Sequence, residues 1–160
     1  MRARSSKFTA VVLTLVLWTV QSAAARECPP REYADTERAE DAFVQDEHRA
    51  PSKATWKRLA GLIVTYQACD DGALAEGFSD SVCHWLAIHW DRVAEVIANC
   101  RNQRDGCRLA LRHIDASCGA DDLKAVLQHA STKCPKNATR VCSEIIAGAQ
   151  AARTDSGSQP

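Results

Sequence analysis

Glu76, Asp80 and His84 stand four residues apart, the spacing that stacks side chains on one face of an α-helix. There a carboxylate can orient an imidazole for proton transfer, so the three are candidate catalytic residues for a small hydrolase or a metal-dependent enzyme. Cys83 adjoins His84 and on paper makes a cysteine–histidine pair. A nucleophilic cysteine must be a free thiol, however, and adjacent helical residues point well apart. The competing reading is a solvated polar face opposite the apolar stripe of Leu74, Phe78, Val82 and Trp85.

Other chemistry-bearing residues form weaker sets. Asp70-Asp71-Gly72 with Glu76 and Asp80 invites a calcium loop, but lacks the alternating oxygen ligands and the terminal glutamate that an EF-hand requires. The acids equally suit a helix N-terminus, whose dipole favours negative charge. His89, at the end of the apolar stripe, reads as a buried or half-buried histidine. His113 and Asp115, two apart on an expected helix, should face different sides and fail to pair; His48 and His129 have no suggestive neighbours. Trp85, Trp90 and Asp91 are the candidate protein-binding residues, although tryptophans at helical spacing serve equally as core anchors. Asn137-Ala138-Thr139 has glycosylation spacing. No metal-ligand set or cofactor motif emerges.

The elements that must position these residues read as helices. Cys69 to Asp91 contains the dominant one: Leu74, Phe78, Val82, Trp85, Leu86 and His89 recur at steps of three and four after the Asp70-Asp71-Gly72 turn. Gly77 inside it should weaken it by about 1 kcal/mol relative to Ala, or admit a close neighbour. Before it, Ser52 is the expected N-cap of a helix carrying Trp56, Leu59, Ile63 and Val64. After it, Asp91 is a candidate N-cap for a new helix through Cys100, and Asn99 to Gly106 reads as a turn. A further helix spans Cys107 to Ala116, with Gly119 as its left-handed C-terminal residue. Another runs from Asp121 to Cys134, and a last one carries Val141 to Ala149. No strand is convincing. Residues 26–50 are charge-rich, with Tyr33, Ala39, Phe43 and Val44 as a thin apolar stripe: a marginal helix tethered by Cys28, or a mobile acidic arm. Residues 51–151 form the helical domain, and 152–160 are small and polar enough to be disordered.

All eight cysteines, Cys28, Cys69, Cys83, Cys100, Cys107, Cys118, Cys134 and Cys142, fall after residue 25. Their even number and the absence of a C-x-x-C pair favour four disulfides over zinc. Sequence leaves about a hundred pairings open. Cys100–Cys107 and Cys134–Cys142 each flank an inter-helix turn and should staple a hairpin; Cys69–Cys83 and Cys28–Cys118 complete one plausible set. The result is an all-α protein, an irregular bundle or short solenoid of five to six antiparallel helices braced by about four disulfides.

Residues 1–25 have the plan of a signal peptide: Arg2, Arg4 and Lys7, an apolar run from Phe8 to Val20, then Ser22-Ala23-Ala24-Ala25. The whole chain balances 20 Lys+Arg against 20 Asp+Glu, so removing those three cations leaves a mildly acidic protein. That excludes nucleic-acid binding through bulk charge, and no second long apolar stretch provides a membrane span. The expected address is periplasmic or secreted. The letters of secreted phospholipases A2, of plant lipid-transfer proteins and of twin C-x9-C proteins are absent. Three functions stay open: an exported non-enzymatic protein that binds another envelope or secreted protein or forms a homodimer, as an inhibitor, immunity factor or envelope adaptor; the Glu76/Asp80/His84 enzyme; and a carrier holding a small apolar ligand near Phe78 and Trp85.

Overall fold

The computed structural model describes residues 28–156; the expected signal segment and residues 157–160 lie outside them. Seven α-helices follow one another: α1 (Pro30–Arg49), α2 (Trp56–Thr65), α3 (Gly72–Ile88), α4 (Val93–Asn102), α5 (Arg104–Leu111), α6 (Ala120–Thr132) and α7 (Thr139–Ser156). Single 3-10 turns at Gln67–Cys69 and Trp90–Arg92 flank α3, and no strand occurs among the described residues.

Local chemistry sets the boundaries. Helix α2 begins at Trp56 because Thr55, not Ser52, caps it: the Thr55 hydroxyl accepts a hydrogen bond from the Arg58 N–H. The Glu95 carboxylate, from α4, accepts another from the Trp56 N–H at 3.1 Å. Gly72, at φ 50°, is the one described residue in the left-handed region, and it lets the chain turn from Cys69 into α3. Gly119, expected in that conformation, instead has φ −57° and precedes α6. Helix α5 stops at Leu111, five residues short of Ala116, and 112–118 form an irregular turn. The acidic segment forms a 20-residue helix, α1, tethered by Cys28 and burying Phe43 and Thr36. At the other end α7 extends through Ser156 and buries Ala152, so helix occupies ground expected to be disordered.

Helix α3 is the centre of the bundle. It packs against α1, α2 and α6, and Leu74, Phe78, Val82, Trp85 and Leu86 are buried from end to end. Trp56 of α2 meets Trp85 with ring centroids 5.5 Å apart, and the Trp85 indole N–H donates to the Ala54 carbonyl at 2.8 Å. Helices α6 and α7 pack along one another, as do α2 with α5 and α4 with α5. Helices remote in sequence, α2 with α5 and α3 with α6, thus pair as extensively as neighbours do, which is a bundle rather than a solenoid.

Four disulfides brace it: Cys28–Cys69, Cys83–Cys118, Cys100–Cys107 and Cys134–Cys142. The two short staples are as the sequence predicted; the two long ones are not. Cys83 lies three turns inside α3, so at ~1.5 Å rise per residue it stands roughly 16 Å from the start of the helix. A disulfide tolerates roughly 7 Å between Cα atoms, which puts Cys69 out of reach of Cys83. Cys69 instead ties the start of α1 to the corner before α3, and Cys83 ties α3 to the turn before α6. Four such bonds are the chemistry of an oxidising compartment. No described helix is long and apolar enough to cross a membrane.

Candidate functional site

Glu76, Asp80 and His84 share a face of α3, but they do not assemble. Glu76 and Asp80 are exposed, and the His84 imidazole turns to Asp122 of α6, with Nδ1 3.1 Å from Oδ2. The carboxylate that orients His84 therefore comes from the neighbouring helix. Cys83 is bridged to Cys118, so it has no thiol to offer.

A tighter constellation lies where the sequence gave no warning. Ser79 of α3 is wholly buried, and its Oγ lies 3.2 Å from His113 Nδ1 and 2.9 Å from Asp115 Oδ2. His113 Nε2 is 3.2 Å from Asp70 Oδ2. The His113 ring thus bridges the Ser79 hydroxyl and the Asp70 carboxylate through its two nitrogens. The residue types are those of a hydrolase triad, yet the hydroxyl is enclosed and its single proton is contested by Asp115 and the Ala75 carbonyl. Its work is to fasten the 112–118 turn to α3, beside the Cys83–Cys118 bond. His113 and Asp115, expected not to pair, converge on Ser79 because α5 has already ended.

Between α1 and α3 acidic groups crowd. Glu40 of α1 lies over Gly77, and burial, followed by repulsion from Asp41, Asp80 and Glu37, pushes its carboxyl up to about 7. Gly77 thus admits a side chain rather than a helix backbone. Glu47, also on α1, faces His89 with Oε1 3.6 Å from Nε2. That separation exceeds a hydrogen bond; burial raises the Glu47 pKa and lowers that of His89, so the contact joins two groups that favour their neutral forms. Among the described residues no group of three or more His, Cys, Asp or Glu could hold a metal ion.

The tryptophans do not form the expected surface. Trp85 is fully enclosed and Trp90 only 6% exposed, its ring stacked 5.8 Å from His129 and its N–H donating to the Lys133 carbonyl at 3.2 Å. Asp91 is exposed, and Ile88, the last residue of α3, is 50% exposed. Phe78 and Trp85, the suggested walls of an apolar ligand cavity, belong to the closed core, and the surface concavities are lined by other residues.

One of those concavities, of about 300 Å3, lies where α4, α5 and α7 meet. Ile97, Cys100, Cys107, Ala138 and Val141 form its apolar part, and Arg101, Arg104, Arg108 and Arg140 also line it. The Cys100–Cys107 and Cys134–Cys142 staples close the two chain reversals that carry Arg101, Arg104 and Arg140. A partial sequence signal was present: Arg104 and Arg108 stand four residues apart, one turn of α5. No family model, curated protein or solved structure matches this chain.

Proposed function

We propose that the chain is an exported, non-enzymatic helical protein that binds another exported protein. The observation that carries the reading is the corner at the end of α3, where Ile88 is half exposed and Asp91, three residues on, is exposed. Beneath it, Trp90 is tied to the Lys133 carbonyl. Arg92 lies over the Trp85 ring at 5.6 Å and binds Glu95 and the Pro51 carbonyl. An exposed apolar side chain three residues from an exposed carboxylate suits a partner that offers an apolar pocket with a lysine or arginine near it. Four disulfides preserve that shape in an oxidising compartment, so little ordering is needed on binding. The enzyme reading is weakened because His84 is oriented by Asp122 and the Ser79 hydroxyl is enclosed.

The test is chemical cross-linking in intact cells of the native host, followed by recovery of the protein. Wild type should yield a discrete protein adduct, and the Ile88→Asp, Asp91→Arg double variant should lose it while retaining its helical circular dichroism and its disulfides. An adduct indifferent to both substitutions would contradict the surface; the absence of any protein adduct would contradict the function.

A further inference from the structure

We propose that the concavity between α4, α5 and α7 is a binding site for a compact polyanion bearing phosphate or clustered carboxylate groups. The proposal stands independently of the protein-binding corner. Four arginines line about 300 Å3, and the protein itself offers little negative charge to neutralise them. Glu144 is the single acidic residue lining the concavity, and it is already engaged by Arg140, with Nε 3.1 Å from Oε1. Arg101 donates to the Asn137 carbonyl at 3.4 Å, which fixes its position without cancelling its charge. Arg104 and Arg108 have no carboxylate partner among the described residues.

The backbone adds to the same potential. Arg104 opens α5, whose N-terminus has no side-chain cap, and Arg140 and Val141 lie in the first turn of α7. Two helix N-termini therefore present their positive ends to one concavity, and helix N-termini with free N–H groups favour anions. Guanidinium forks add planar, bidentate matches to phosphate and carboxylate oxygens. The two staples hold both reversals in place before any ligand arrives, so the charges are preorganised rather than gathered on binding. The four arginines line one hollow of about 300 Å3, a size that suits a compact ligand better than an extended acidic peptide. All this sits in a chain with no excess of positive charge, so the cluster is local.

Isothermal titration of the oxidised full-length protein with sodium pyrophosphate and, separately, sodium citrate tests the proposal. Saturable one-to-one binding by either probe is expected, and the tighter of the two identifies phosphate or polycarboxylate as the natural chemistry. The Arg104→Gln, Arg108→Gln double variant should weaken it by at least about tenfold, as loss of two charge-assisted contacts requires. The Arg104→Lys, Arg108→Lys variant should recover part of that loss, and Arg153→Gln, on the exposed end of α7, should leave binding unchanged. Each variant is read alongside its melting curve, because both positions are exposed and the fold should be unaffected. Absence of saturable binding by both probes, binding insensitive to the double glutamine variant, or tighter binding by a glutamate-rich peptide than by either probe would overturn the small-anion site.

Discussion

Gly77→Ala should stabilise this protein, and more at pH 8 than at pH 5. In an ordinary helix interior the substitution is worth about 1 kcal/mol, because alanine loses less backbone freedom on folding. Here an added Cβ would stand 2.7 Å from Glu40 Cδ, so the Glu40 side chain must swing away. That displacement costs little, because no hydrogen bond holds the carboxylate in place and its present position is unfavourable when charged. Burial, and then Asp41, Asp80 and Glu37, raise its pKa from 4.5 to about 7. A raised carboxylate pKa means the folded state holds the proton more tightly than the unfolded state. Stability from this group is therefore full below the unfolded value of 4.5, falls as pH rises towards 7, and stays low above it. At about 1.4 kcal/mol per pH unit the shift sets an upper bound of about 3 kcal/mol, and rotation of the side chain towards water reduces it to about 1–2. Glu40→Gln should accordingly match wild type at pH 4 and exceed it by about 1–2 kcal/mol at pH 8. Gly77→Ala should gain about 1 kcal/mol at low pH and about 2 at pH 8. The double variant should fall short of the sum, since both act on one carboxylate. Urea unfolding followed by circular dichroism at both pH values reads these differences. A destabilised Gly77→Ala at pH 8, or a Glu40→Gln pH profile parallel to wild type, would refute the reasoning.

Further outcomes follow from the remaining contacts. Replacing Cys83 and Cys118 by alanine should cost about 4 kcal/mol and replacing Cys100 and Cys107 about 2, by loop-closure entropy over separations of 35 and 7 residues; denaturant midpoints of the two variants would rank them. Ser79→Ala strands His113 and Asp115 and should lower stability by about 1–3 kcal/mol in thermal melts, whereas an unchanged melt would deny the latch. Trp90→Ala should destabilise by about 3–5 kcal/mol because the ring is buried, so its loss of binding would reveal nothing about the surface. Asp122→Asn should cost no more than about 1 kcal/mol in urea unfolding, because its 3.1 Å contact with His84 is part-exposed; a larger loss would contradict that ranking.

The parts of this fold that were legible depend on near neighbours in sequence. The helical class, the break before α4 and the two hairpin staples all follow from residues within a few turns of one another. Cys28–Cys69 and Cys83–Cys118 are set by how helices lie in space, and spacing alone contains no such information. The burial of Phe43 was obscured by the acids around it, of which Asp41 is solvated while Glu40 and Glu47 turn inward. His113 and Asp115 were misplaced by continuing α5 past Leu111; one misjudged boundary concealed the link to Ser79. Trp85 and Trp90 looked like surface anchors because periodicity locates a stripe but not what covers it, and α2 and α6 cover these. Of the arginine concavity only the Arg104–Arg108 pair on α5 was readable from spacing; Arg101 and Arg140 join it through the approach of α4 and α7.

The central claim, that this is an exported protein made to bind another protein, is tested most directly by native mass spectrometry of the oxidised mature protein recovered from its own host's envelope fraction. The account predicts a stoichiometric complex with a second protein, lost on Ile88→Asp with Asp91→Arg. A lone chain carrying a bound metal ion would contradict it and return weight to an enzyme.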